Sequence, residues 1–322
     1  MRILFSRCTD TARGLLPALV RRSAAGVEGA HFGRREKEST VVILGATGTG
    51  KSKLSIDIAA LFSAEVVNAD KIQVYRGLDI TTNKMPMVDR RGVPHHLLGE
   101  LDPAEGVLTS TGFRSLASAA VTGIASRGRI PVVAGGSNSY IHALMAECCD
   151  ERVNPFDGAP AATRGSLRYR SCLLWVDVEA SALAEYLDRR VDEMLRAGML
   201  EELERYFATG EDPSERHPGL GKAIGVPEFR EYFQQRTAAA YDEAVAKVKN
   251  NTRRLAKDQV RKIEQLGAIG WSLQRLDATP VVAARLAGCS RMAEAEAWER
   301  DVMGPSFRSV ESFLRDANCS TF

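Results

Sequence analysis

Cysteine is scarce and scattered in this sequence. The 322 residues hold six (Cys8, Cys148, Cys149, Cys172, Cys289 and Cys319), none at C-x-x-C spacing. That excludes a disulfide scaffold or zinc ribbon and points to a reducing compartment. His95 and His96 are adjacent, but no further ligands stand at metal spacing around them. Long apolar runs are missing too. None approaches the about 18 consecutive residues of a membrane span, so no membrane partner is expected. Charge of one sign is also lacking. With 43 Lys and Arg against 41 Asp and Glu the net charge is +2, whereas a grip on long nucleic acid usually shows a basic surplus. What is present is ordinary for a soluble enzyme: 44% hydrophobic and 26% charged residues, enough to bury a large core. At about 100–200 residues per domain, the length fits two units, or one large domain with an insertion.

The small net charge hides an asymmetry. Residues 1–37 carry eight basic and three acidic side chains, a net of +5, which leaves −3 for the rest. The segment 1–39 is rich in Arg and Ala, with Leu15, Leu16, Leu19 and Val20 flanked by arginines. This is the composition of an organelle transit peptide. Composition does not separate plastid from mitochondrion; the plastid is the expectation, with the mitochondrion second, and a tail on a cytosolic protein is the alternative.

The chemistry begins after it. Val41-Val42-Ile43-Leu44 reads as a buried strand. Gly45-Ala46-Thr47-Gly48-Thr49-Gly50-Lys51-Ser52 fits G-x-x-x-x-G-K-[ST], and Leu54, Ile58, Leu61 and Phe62 continue as a helix. Strand, glycine loop and helix together define a phosphate-binding P-loop. Its amides would wrap a diphosphate, Lys51 would add a point charge, and Ser52 would hold Mg²⁺. Glu65 to Asp70 reads as a second strand ending in an acid, and Ile130 to Ala134 as another, followed by Gly135-Gly136-Ser137. Strand C-termini line the ligand crevice of an open parallel sheet, which places Asp70 and Ser137 beside the P-loop. A cap or salt-bridge role for Asp70, and a helix N-cap role for Ser137, are the structural alternatives. Leu173 to Asp177 is a further core strand, whose terminal acid has the look of a Walker B residue.

Several of these runs, in order, resemble the dimethylallyl (isopentenyl) transferases. They are Gly45 to Ser52, Asn68-Ala69-Asp70 with Gln73 and Tyr75, Pro94-His95-His96-Leu97, and Arg129 to Tyr140. The likeness spans residues 40 to 270. Within the family, Leu173 to Val178 and Lys222 to Phe229 look most like the plant adenylate isopentenyltransferases of cytokinin biosynthesis. The resemblance implies transfer of a dimethylallyl group from its diphosphate to N6 of adenine in ADP or ATP, with AMP a poorer acceptor, release of diphosphate, and Mg²⁺ as cofactor. It implies a catalytic Asp70, Ser137 near the oxygen that bridges C1 and the diphosphate, Thr47 in the same site, and Asp177 near the prenyl pocket. Lys222 matches a basic position on the diphosphate, although Gly221 stands where a basic or polar side chain is expected.

Tyr241 to Gln265 reads as one long helix with Val248, Leu255, Val260 and Ile263 on its buried side. Seven Lys and Arg oppose the single acid Asp258 between 247 and 262. Such a run is ordinarily a solvated face, but Lys249 to Lys262 also matches a family motif, so Arg253 and Lys257 are expected on the acceptor's phosphates. The fold expected is α/β, a mostly parallel P-loop sheet flanked by helices. Its core spans 40–179, a helical insertion 180–250 closes the prenyl end, and C-terminal helices of 251–322 complete the core. A monomer is expected. A tRNA isopentenyltransferase, and behind it a P-loop small-molecule kinase, are the alternatives. The former would need a larger insertion than 150–250 offers, and Cys289 and Cys319 lack partners for a zinc finger. Nucleic acid is therefore not an expected partner.

Overall fold

Residues 39–45 are short, β-branched and almost wholly buried, and they form the strand β1 (Ser39–Gly45). The computed structural model describes residues 37–148, 154–157, 165–208 and 213–319; residues 1–36 of the expected transit segment lie outside them, and Ser39, set at its end, belongs to β1. After β1 come α1 (Lys51–Leu61), β2 (Ala64–Asn68), β3 (His95–His96), α2 (Ser110–Ser126), β4 (Ile130–Ala134), α3 (Asn138–Met145) and β5 (Arg170–Asp177). The second half holds α4 (Ala180–Arg196), α5 (Met199–Phe207), the short α6 (Pro213–Arg216), α7 (Val226–Gln235) and α8 (Ala238–Ala268). β6 (Leu273–Asp277), α9 (Thr279–Leu286), α10 (Arg291–Trp298) and α11 (Gly304–Cys319) complete it.

The six strands lie in the order β3-β2-β4-β1-β5-β6, and every pair is parallel. A parallel sheet is buried on both faces, so alternate residues of β1 serve two cores. Val42 and Leu44 pack with Phe113, Tyr140 and Ile263 on one side. Val41 and Ile43 pack with Leu54, Ile58, Val302 and Val310 on the other. All strand C-termini point to one edge, where the P-loop, Asp70 and Ser137 emerge.

The expected break at Gly198 separates α4 from α5. The long basic helix is α8, anchored by Thr237, whose hydroxyl accepts the Ala240 N–H at 3.2 Å. The boundary set at 250 falls inside α8, and the segment 251–322 contains a strand as well as helices. β6 escapes sequence reading because it is an edge strand. Its run Leu-Gln-Arg-Leu-Asp has no strict alternation, since only Leu276 is buried. Among the described residues no helix is long and apolar enough to cross a membrane.

Candidate active site

The P-loop turns from β1 into α1 through Gly50, whose backbone lies in the left-handed region (φ 98°). A Cβ there would stand 2.8 Å from the ring of Trp298, so only glycine lets α10 close on the loop. The Trp298 indole N–H donates to Asp57 at 2.9 Å, and the Lys53 ammonium lies 4.1 Å from the centre of its ring. Within the loop, Lys51 Nζ donates to the Ala46 carbonyl at 2.5 Å and Thr49 Oγ1 donates to the same oxygen at 3.0 Å. Burial pushes the Lys51 ammonium down to about 8; neighbouring Asp70 resists that shift and the Arg190 guanidinium reinforces it.

Asp70 follows β2. Its Oδ1 accepts the N–H groups of Ile72 (2.9 Å) and Gln73 (3.1 Å), which orients the carboxylate and leaves Oδ2 for a ligand. Ser137 precedes α3 at the N-cap position, but its hydroxyl does not cap the helix. Instead Oγ accepts the Lys71 N–H at 2.9 Å, which ties it to the Asp70 turn and leaves its own proton to donate. Gly135 and Gly136 permit this close packing, since a Cβ on Gly135 would come within 2.2 Å of the Ala69 carbonyl oxygen.

These parts face a cleft of about 1060 Å³, lined by the P-loop from Thr47 to Ser52, Asp70, Gly135 to Ser137 and Lys222. Part of its wall is apolar, with Val191, Met194, Ile224, Val248 and Leu255. The segment at Thr81 lines it as well, held by the Glu202 carboxylate, which accepts from Ile80 N, Thr81 N and Thr81 Oγ1 at 2.7–3.0 Å. The structure thus brings together Thr47, Gly48, Thr49, Gly50, Lys51, Ser52, Asp70, Ser137 and Lys222, whereas Gly45 and Ala46 form the loop's inner turn.

Three expected residues lie elsewhere. Arg253 pairs with Asp188 of α4, Lys257 is exposed, and neither lines the cleft. Asp177 is held by Arg275 of β6 through Nε at 2.8 Å and Nη2 at 2.6 Å, an edge pair that lies outside the cleft lining. His96 serves the sheet instead of a metal, its Nε2 lying 2.6 Å from Glu65 Oε2.

Two cleft residues were given no role by the sequence reading, although Gln259 stands in the family motif of Lys249 to Lys262. The Arg190 Nη2 of α4 donates to Thr47 Oγ1 at 2.9 Å, and its buried Nε has no protein partner. Gln259 of α8 meets the P-loop amide of Thr47 at 2.8 Å. Both left a signal: each is a polar residue on an otherwise buried helical stripe. Arg190 stands three residues after Leu187 and seven after Leu183; Gln259 stands three after Ala256 and four before Ile263.

A P-loop that shares one cleft with apolar side chains is the site of a group-transferring enzyme. Residues 73–164 and 147–264 match the IPP transferase family. Adenylate isopentenyltransferase 1, chloroplastic, of Arabidopsis thaliana is 48% identical over 87% of this chain and 82% of its own length. Adenylate isopentenyltransferase of Humulus lupulus is 47% identical over 84% of this chain and 89% of its own. The solved structure of a eukaryotic dimethylallyltransferase acting on tRNA superposes with a TM-score of 0.72 at 25% identity, covering 87% of this chain and 80% of that one. The chain belongs to the IPP transferase family. Its curated relatives at 40–48% identity are adenylate isopentenyltransferases.

Proposed function

We propose that this enzyme is an adenylate dimethylallyltransferase that moves the dimethylallyl group of dimethylallyl diphosphate to N6 of ADP or ATP, with AMP a poorer acceptor, and releases diphosphate as the first step of cytokinin formation. The observation that carries this reading is the cleft itself, lined together by a phosphate-binding loop, apolar side chains and a strand-end carboxylate. The identity of the relatives favours a free nucleotide over tRNA.

The P-loop amides and Lys51 hold the donor diphosphate, and Arg190 and Thr47 face the oxygen on which charge develops. The apolar wall takes the prenyl chain. Adenine N6 attacks C1, the C1–O bond breaks with its electron pair passing to the diphosphate, and Asp70 Oδ2 takes the N6 proton. Ser137 donates to the bridging oxygen. For the acceptor's phosphates Lys71, which lines the cleft, suits better than Arg253 and Lys257 of α8, which do not. Burial, reinforced by the nearby charges of Lys262 and Lys222, lowers the Lys71 pKa, so an anion beside the Lys71 ammonium would relieve it.

Among the described residues no cluster of three His, Cys, Asp or Glu side chains forms a metal cage. Mg²⁺ does not require one, because it commonly binds through substrate phosphates, water and one or two protein oxygens. The exposed Ser52 hydroxyl on the cleft fits that donor set. The ion would neutralise charge on the leaving diphosphate. With the whole cleft built by one chain, the monomer is the proposed working unit. Plastid residence agrees with the chloroplastic relatives, and a mitochondrial one stands among them.

The test is mass spectrometry of purified protein with Mg²⁺, dimethylallyl diphosphate and AMP, ADP, ATP or tRNA in parallel. Prenylated ADP and ATP are expected. Transfer to tRNA alone would instead support the tRNA reading, and ADP release from ATP without the prenyl donor would support a kinase.

A further inference from the structure

Gln259 joins two loops that lie far apart in the chain. Its side chain is 7% exposed, and both ends of its amide are used. Oε1 accepts the Thr47 N–H at 2.8 Å, and Nε2 donates to the Gly136 carbonyl at 3.0 Å. Its own carbonyl accepts Asn138 Nδ2 at 3.0 Å. A Cβ on Gly136 would come within 2.4 Å of Gln259 Nε2, so the contact is close enough to constrain the loop. On either side of this bridge lie the groups assigned to chemistry. Thr47 carries the hydroxyl bonded by Arg190, and Gly136 precedes Ser137, whose Oγ is fixed to the Asp70 turn.

We propose that Gln259 is a positioning residue that sets the spacing between the P-loop and the Gly135–Ser137 loop, so that the Thr47 and Ser137 hydroxyls face the same reacting oxygen. Only a group with an acceptor and a donor on one planar end, at the length of glutamine, satisfies an amide N–H and a carbonyl at once. Removing it orphans the part-buried Thr47 N–H and frees both loops to shift. Misplacement of reacting groups by about 1 Å costs on the order of a hundredfold in rate. The catalytic part of this inference rests on the function proposed above; the bracing of the two loops does not.

The experiment uses the full chain with two substitutions. Gln259→Met keeps the length and removes both polar ends. Gln259→Glu keeps the acceptor and supplies the donor only when protonated. Hydrogen exchange without substrate should show peptides covering Gly45–Ser52 and Gly135–Asn138 both exchanging at least about tenfold faster in Gln259→Met. In prenyl transfer, kcat should fall about a hundredfold while the donor KM stays within about threefold. Gln259→Glu should recover activity relative to the parent as pH falls from about 8 to about 6, because burial raises a carboxyl's pKa and the neutral acid restores both bonds. A purely structural role would lower the thermal midpoint without that acid-side recovery. Unchanged exchange in either loop, a Gln259→Met kcat within threefold of the parent, or a Gln259→Glu profile parallel to the parent's overturns the proposal. If Gln259→Met does not fold, the Gln259→Glu profile decides. If the parent itself transfers no prenyl group, the function proposed above fails, and the exchange data alone decide the bracing.

Discussion

The P-loop and the basic stretch of α8 both advertise phosphate binding in the sequence, and they fare differently in the fold. All six residues from Thr47 to Ser52 line the cleft. Of the seven cations between 247 and 262, four are spent on acids. Lys247 pairs with Glu243 and Glu231, Lys249 with Asp192, Arg253 with Asp188, and Arg261 with Asp258. What α8 gives the cleft is uncharged: Val248, Thr252, Leu255 and Gln259. A glycine loop fixes its backbone and hence its chemistry locally. A helix fixes only which residues share a face, and the acids opposite, on α4 and α7, decide what its cations do.

The largest effect expected lies on the loop side. Asp70→Asn keeps size and removes the proton acceptor, so single-turnover transfer with both substrates saturating should drop about 10²–10⁴-fold. Transfer within a few-fold of the parent would remove Asp70 as the base and break the comparison at its strongest point. Next, Lys51→Ala should weaken donor binding by about ten- to a hundredfold in calorimetry, as expected for one charge-assisted contact. If nucleotide binding is lost instead, the loop holds the acceptor.

The Lys51 pKa of about 8 gives a third, smaller effect. The ammonium must be protonated to hold an anion, so donor affinity should be flat below about pH 7. It should fall up to about tenfold per unit above the Lys51 pKa, with proton uptake on binding. Lys51→Arg, charged throughout, should lose that alkaline fall; if the parent and Lys51→Arg titrate alike, another group is responsible. On the α8 side, Arg253→Ala should leave kcat/KM within about threefold and cost at most about 1 kcal/mol in urea unfolding, since its pair with Asp188 is partly solvated. Lys257→Ala should change kcat/KM by less than twofold. A tenfold loss of ATP affinity in either variant would restore the arginine and lysine of α8 to the acceptor site.

Much of this was legible in the sequence where local rules act alone. β1, the P-loop and α1 follow from a buried run, a glycine spacing and an apolar period, and Asp70 and Ser137 follow from their places at strand ends. Arg253 and Lys257 stand off the cleft lining, because a charge pattern on a helix does not say which neighbour faces it. The family resemblance drew Asp177 toward the prenyl pocket, and only the presence of β6 with Arg275 explains why it faces the sheet edge. Arg190 and Gln259 were hidden because their partners lie 143 and 212 residues away, a distance that no local period reports.

The seating of Trp298 against Gly50 has a consequence for the life of the chain. The P-loop leaves the ribosome nearly 250 residues before the indole that backs it. A nascent chain, or one cut before α10, therefore exposes Gly50 to water where the finished protein presents a ring to it. The donor pocket is completed last, by the part of the polypeptide that looks least like an enzyme. Proteolysis near Gly288-Cys289, in the turn ahead of α10, would detach the backing of the P-loop while leaving every residue that touches substrate in place.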